Sequence, residues 1–200
     1  MTERTKSALR SRLLAARAAR PSEDRTATAT ALAQALAAFC SPTSWPKLAA
    51  GYLSLGTEPG TGPLLETLAG AGAEVIVPVL KADGDLDWAP YAPGSSVAPG
   101  LRGTIEPTGA RLGVEAVEAA GLVLVPALAV DRHGHRLGRG GGSFDRALAR
   151  RLRAGASGLV LAVIHDEEVV DEVPVEPHDC FVDGVLTPTG VALYRRATKS

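Results

Sequence analysis

Five of the nine residues from Gly134 to Gly142 are glycine, and an aspartate stands on either side of the run, at Asp131 and Asp145. Without side chains the backbone can wrap closely around an anion and adopt positive φ, which turns successive N–H groups inward. Arg136 and Arg139 add forked, permanently charged donors, and the two aspartates offer hard oxygen atoms of the kind magnesium prefers. The chemistry open to such a set is the binding and transfer of phosphoryl groups. The spacing is neither that of a GxxxxGK[ST] loop nor that of a GxGxxG fingerprint, which argues against an ordinary ATPase or dehydrogenase.

Other chemically able residues have plainer readings. His133 and His135 have no third His or Cys beside them for metal ligation, so both are expected in solvent. His165 closes an apolar strand and reads as a hydrogen-bonded structural histidine. Asp166, Glu167, Glu168, Asp171 and Glu172 read as a solvated face, and Asp179 as a turn cap. Taken alone, Lys6 and Arg10 read as the solvated face of a helix, Glu58 as an exposed loop acid, and Asp183 as a turn residue before Gly184. Cys40 and Cys180 lie far apart with no metal-ligand spacing, which predicts neither a zinc site nor a disulfide and fits a reducing cytoplasm.

The elements that must carry the loop follow from periodicity. Leu9, Leu13 and Ala16 recur at helical spacing from Glu3 to Ala19, with Lys6, Arg10 and Arg17 on another face. Pro21 ends that helix, and Ser22 is expected to cap a second one through Phe39. After a turn from Ser41 to Pro46, Leu48 to Leu55 reads as a buried strand. Thr61 and Pro63 open a helix that stops at Gly70 to Gly72, and Glu74 to Leu80 reads as the next strand, giving a βαβ unit with a parallel sheet. Leu86, Trp88 and Tyr91 predict an edge strand, followed by a Pro- and Gly-rich excursion from Ala92 to Gly113. The glycine run is bracketed by a strand at Leu122 to Val125 and a helix from Phe144 to Arg153, whose positive N-terminal dipole would favour an anion. Leu159 to Ile164, Phe181 to Leu186 and Gly190 to Tyr194 predict three more strands.

With 200 residues and 46% hydrophobic content, one domain over residues 1–200 is the default. The 21 basic and 22 acidic residues leave a formal net charge of −1, so nothing global draws the chain to nucleic acid or an anionic membrane. The arginines of the first helix interrupt any signal peptide, and no segment is apolar enough to span a bilayer.

The stretch from Val125 to Asp131, followed by Arg136 to Asp145, closely resembles the signature of the 5-formyltetrahydrofolate cyclo-ligase (5,10-methenyltetrahydrofolate synthetase) family. The similarity extends over nearly the whole chain, with weaker matches at Lys6 to Arg10, at Leu53 to Thr61, and at Val182-Asp183 with Thr187-Pro188. It implies a three-layer αβα fold with a mostly parallel central sheet (NagB/RpiA/CoA-transferase-like). It also implies conversion of 5-formyltetrahydrofolate, with or without a polyglutamate tail, to 5,10-methenyltetrahydrofolate, using ATP and Mg²⁺. By that resemblance ATP would meet Lys6, Ser7, Ala8, Leu9 and Arg10, together with Arg136, Leu137, Gly138, Arg139, Gly140, Gly141, Gly142, Ser143 and Phe144. Arg139 would act on the transferred phosphoryl, Leu53 and Glu58 would meet the folate, and Asp145 with Asp183 would hold the metal. The implied protein is a cytoplasmic monomer or weak dimer.

Three positions depart from the pattern. Ser143-Phe144 stands where the family usually carries two tyrosines, which removes a ring and a hydroxyl from the folate side and leaves Ser143 as an expected helix cap. Val130 stands where an aromatic is common. The tyrosine loss keeps alive a phosphate-ligand enzyme of the same fold with a non-folate substrate. A non-catalytic nucleotide- or RNA-binding module is disfavoured by the neutral charge and the lack of a basic, aromatic face.

Overall fold

The structure, a computed structural model, describes residues 2–40 and 44–194, so Ser41, Pro42 and Thr43 of the expected turn lie outside the described residues. Among the described residues four α-helices form: α1 (Thr2–Ala18), α2 (Ser22–Phe39), α3 (Gly62–Gly70) and α4 (Ser143–Arg153). The strands are β1 (Leu48–Ala50), β2 (Glu74–Leu80), β3 (Leu86–Tyr91), β4 (Val97–Pro99), β5 (Ile105–Pro107), β6 (Leu122–Pro126), β7 (Ala129–Asp131), β8 (Arg136–Leu137), β9 (Leu159–Val163), β10 (Val169–Val170), β11 (Gly184–Thr187) and β12 (Gly190–Leu193). None of the described helices is long and apolar enough to cross a membrane.

Seven strands make the central sheet in the order β12-β11-β9-β6-β1-β2-β3. The five inner strands run parallel, and β3 and β12 close the edges antiparallel. Parallel strands covered on both faces need apolar residues at consecutive positions, and β6 and β9 have them. Side-chain alternation sorts those residues into two cores. Leu122, Leu124, Leu161, Val163 and Leu186 meet Leu32 and Leu36 of α2 and Leu64, Leu65 and Leu68 of α3 on one face. Val123, Val125, Val160, Ala162 and Val185 meet Ala147 and Leu148 of α4 on the other. The result is the three-layer αβα arrangement.

A smaller sheet, β10-β7-β8, follows the end of β6, and α1 packs on it through Leu13 against Leu128, Ala129, Leu137 and Val173. The excursion after β3 folds into a hairpin of β4 and β5. The βαβ unit forms as expected, but β1 stops at Ala50, and residues 51–61 leave the sheet as a loop. Two expected caps are corrected. Pro21 and Gly142 occupy the N-cap positions, and Ser22 and Ser143 are already the first helical residues, with no side-chain cap bond. Proline's fixed φ and glycine's access to positive φ suit the chain's entry into each helix better than a hydroxyl does.

Candidate active site

A cleft of about 890 Å³ opens where the parallel strands end, the usual place for ligands in open α/β sheets. Its walls are α1, the 52–58 loop, the tip of the β4–β5 hairpin, the glycine loop with the start of α4, and the segment 176–179.

The glycine loop is a built structure. Gly134, Gly140 and Gly142 all have positive φ, and at Gly142 (φ 68°) this turns the chain directly into α4. The N–H groups of Arg139 to Gly142 have no hydrogen-bond partner among the described residues, and the first N–H groups of α4 follow them. Arg136 is buried beneath the loop. Its Nη2 donates to Asp145 Oδ1 at 2.6 Å and its Nη1 to the Pro126 carbonyl at 3.1 Å, which ties the end of β6 to the start of α4. Arg146 reaches back to the carbonyl oxygens of Gly84 and Gly141, and Arg150 pairs with Asp85 at 2.6 Å. Arg151 is buried against the carbonyls of Val117, Ala120 and Ser157, which fixes the far end of α4.

Arg139 is different. Its side chain is 54% exposed in the cleft, and its one partner among the described residues is Glu58 Oε1 at 3.4 Å on the facing loop. Glu58 itself is nearly buried and is held by the Leu55 N–H at 2.8 Å. Behind it, Thr61 donates to the Tyr52 carbonyl at 2.5 Å and accepts from the Ser54 N–H, which stiffens the loop that carries Leu53 and Glu58. The Tyr52 ring meets Phe144 edge-on at 6.3 Å. The Tyr52 hydroxyl is buried with no protein partner, and burial, reinforced by the Glu58 charge, pushes its pKa well above the ordinary value. It therefore stays a hydrogen-bond donor.

The expectation that Lys6 and Arg10 form a solvated face is overturned. The stripe of α1 that faces the protein is Lys6, Leu13 and Arg17, all buried, while Ala16 is exposed. Lys6 Nζ lies 2.6 Å from Asp179 and 3.1 Å from Glu176. Burial pulls its pKa down, but the bonds to those two carboxylates outweigh it and hold the ammonium above its ordinary value. Arg10 Nε donates to the Gly138 carbonyl at 3.0 Å, so α1 grips the glycine loop directly. Ser7 and Ala8 are exposed and do not line the cleft, and Leu9 packs toward the small sheet.

Three carboxylates expected elsewhere have other positions. Asp131 is fully buried and accepts from the His133, His135 and Val173 N–H groups and from the His135 ring at 2.7 Å. Its oxygens are occupied in holding the turn, so it is no metal ligand, and His135 is its partner rather than a solvated side chain. Asp183 is not brought to Asp145. It accepts from the Val160 N–H at 2.8 Å, near the start of β9, and is absent from the cleft lining. A cation held by both aspartates is therefore not supported. Glu168, expected in solvent, is buried in an ion pair with Arg17, whose Nε and Nη2 meet the two carboxylate oxygens at 2.6 and 2.7 Å. Glu168 Oε2 also accepts from the His165 N–H, and the His165 ring is buried, but its Nε2 finds no hydrogen-bond partner among the described residues, so the expected hydrogen-bonded histidine is only half realised. Asp179 does cap its turn, through the Glu176 N–H, while pairing with Lys6.

Residues 2–188 match the 5-formyltetrahydrofolate cyclo-ligase family. The chain is 42% identical over 195 residues to the 5-formyltetrahydrofolate cyclo-ligase of Mycolicibacterium smegmatis, covering 94% of this chain and 96% of that protein. It is 33% identical over 142 residues to the Escherichia coli protein of the same name, covering 70% and 77%. The NMR structure of Aquifex aeolicus 5,10-methenyltetrahydrofolate synthetase superposes with a TM-score of 0.73 at 27% identity, over 98% of this chain and 95% of that one. On its sequence match and its shared architecture, the chain belongs to the 5-formyltetrahydrofolate cyclo-ligase family.

Proposed function

We propose that this protein converts 5-formyltetrahydrofolate to 5,10-methenyltetrahydrofolate with the consumption of ATP. The observation that carries the site assignment is the placement of Arg139. It is an exposed guanidinium on a loop rich in unpartnered N–H groups, standing across the cleft from Glu58. One wall is chemically suited to phosphates, and the other offers Leu53, Glu58 and the Tyr52 hydroxyl to an amphipathic ring system.

The formyl oxygen of the substrate is a poor leaving group. Transfer of the γ-phosphoryl of ATP to that oxygen releases ADP and leaves an imidate-like phosphate ester. The N10 nitrogen attacks the activated carbon and gives up its proton, which leaves with the phosphate as the C–O bond breaks, and the methenyl bridge remains. No covalent bond to the protein is needed, so the protein's part is alignment and charge stabilisation. The loop N–H groups and Arg10 would hold the phosphates, and Arg139 would follow the transferred phosphoryl as its charge develops. Glu58 would accept from N–H donors of the pterin, and the Tyr52 hydroxyl would donate to it. Magnesium would neutralise phosphate charge on the bound nucleotide, and Asp145, beside the loop, is the carboxylate that would hold it. The same reading carries a cytoplasmic enzyme, monomeric or weakly dimeric, with no nucleic-acid or membrane partner.

The test follows methenyl absorbance as 5-formyltetrahydrofolate is mixed with the protein, with and without ATP and Mg²⁺. ATP-dependent product formation is expected. Tight ATP binding with no methenyl product would exclude the folate reaction.

A further inference from the structure

The β4–β5 hairpin ends in the pair Arg102-Gly103, both left-handed, with φ of 54° and 77°. The Thr104 N–H donates to the Leu101 carbonyl at 3.1 Å and closes the turn. Glycine or asparagine is favoured at the first position of such a turn. Arg102 is the one non-glycine residue with positive φ among the described residues. Strain kept at the rim of a cleft points to a side chain whose position matters.

The tip is firmly seated. Buried Glu106 accepts from the Leu80 N–H at 3.0 Å and from the Thr104 hydroxyl at 2.6 Å, which fastens the hairpin to β2. A Cβ at Gly100 would run into the Glu106 carboxylate, so a side chain there would push that carboxylate out of its bonds.

Charge pairing separates Arg102 from most other cations of the cleft. Lys6, Arg17, Arg136 and Arg139 each face a carboxylate. Arg102 lines the same cleft with no hydrogen bond or ion pair to any described residue. Its Nη1 lies 4.0 Å from the point a Cβ on Gly141 would occupy, so the guanidinium hangs beside the glycine loop. Arg10 stands at a similar distance from Gly140, its guanidinium carbon 3.8 Å from the corresponding point.

We propose that Arg102 is a nucleotide-positioning residue, whose guanidinium pairs with the phosphates held at Gly140 and Gly141. The inference rests on the reading of that loop as the ATP site. ATP binding is measured by calorimetry without folate for the wild type, Arg102→Gly and Arg102→Lys, alongside KM for each substrate. Glycine accepts a φ of 54°, so Arg102→Gly should melt no lower than wild type. It should bind ATP about ten- to a hundredfold more weakly, as expected for one charge-assisted hydrogen bond lost, with an unchanged folate KM. Arg102→Lys should recover part of the affinity. Arg102→Gln removes the charge without adding backbone freedom and should weaken ATP binding as glycine does. Wild-type ATP affinity in Arg102→Gly and Arg102→Gln would overturn the proposal. So would a rise confined to the folate KM that grows with polyglutamate length, which would assign the guanidinium to glutamate carboxylates. Failure of the wild type itself to bind ATP would overturn the reading of the loop, and this inference with it.

Discussion

Arg136 and Asp145 meet at 2.6 Å beneath the glycine loop, and the same guanidinium holds the Pro126 carbonyl at the end of β6. The pair joins the strand that delivers the loop to the helix that receives it. Arg136 is a positioning group, since its side chain is almost fully buried. Arg136→Ala should lower unfolding free energy by about 3 kcal/mol, because Asp145 keeps a charge that has lost its partner. Urea denaturation checks this. A variant that melts like wild type would show that the loop does not depend on the pair.

Arg139 should behave in the opposite way. Its exposed pair with Glu58, at 3.4 Å, contributes little to stability, so Arg139→Ala should unfold within about 0.5 kcal/mol of wild type. If it stabilises phosphoryl transfer, kcat should fall by roughly a thousandfold. Glu58→Gln should instead raise the folate KM more than the ATP KM. Undiminished turnover in Arg139→Ala would remove the role given to that residue.

These two arginines show what the sequence makes legible. The apolar runs of β6 and β9, the Thr61-Pro63 start of α3 and the glycine spacing each report a local rule, and each forms where expected. Partnership across the chain is not local. Nothing near Arg17 in sequence announces Glu168, which lies 151 residues away, so a buried ion pair reads as two solvated charges. Asp131 and Asp183 look like any loop aspartate until their accepted backbone bonds place one inside a turn and the other away from the cleft. The strand from Leu48 reads longer in the sequence than it is, because Tyr52, Leu53 and Leu55 keep the segment apolar while lining the cleft. Arg102 carried one faint signal, an arginine directly before a glycine in a turn-rich segment.

The Arg17–Glu168 pair ties α1 to the turn after β9 and also binds the Ala127 carbonyl at 2.6 Å. Arg17→Met should destabilise the protein by about 3–5 kcal/mol, since Glu168 would be left charged and buried. Adding Glu168→Leu should restore part of that loss. A double variant as unstable as the sum of the two single ones would show that the side chains do not act as a pair.

Acid sensitivity should begin at His165. Burial first, and then the charges of Arg20 and Arg17, push its pKa from 6.5 down to about 4. The native state therefore binds fewer protons than the unfolded chain between these values, and stability rises with pH across that window. It is fully present above pH 6.5 and is lost as pH falls toward 4, by on the order of 3 kcal/mol. Asp131 and Asp179 titrate below their ordinary range, so their contributions fade only below about pH 4. His165→Gln should flatten the upper part of the profile and leave the lower part. A wild-type stability that stays level from pH 6.5 to 4.5 would contradict the assignment.

Tyr52 offers the sharpest separation between holding the fold and holding the substrate. Its ring is packed against Phe144, and its hydroxyl is buried without a protein partner. A buried polar group in that state costs stability, so Tyr52→Phe should leave the ligand-free protein unchanged or more stable by about 1 kcal/mol. The hydroxyl is kept protonated by burial and by Glu58, so the bond it can offer to a bound ring is a donated one. Losing that bond should raise the folate KM about tenfold while leaving the KM for ATP unchanged. The position also bears on Ser143-Phe144, since the Tyr52 ring, on the facing loop, packs edge-on against Phe144, where the glycine-loop wall supplies no phenol. If Tyr52→Phe alters neither stability nor folate KM, the hydroxyl meets solvent in the working enzyme, and folate recognition falls to Glu58 and Leu53.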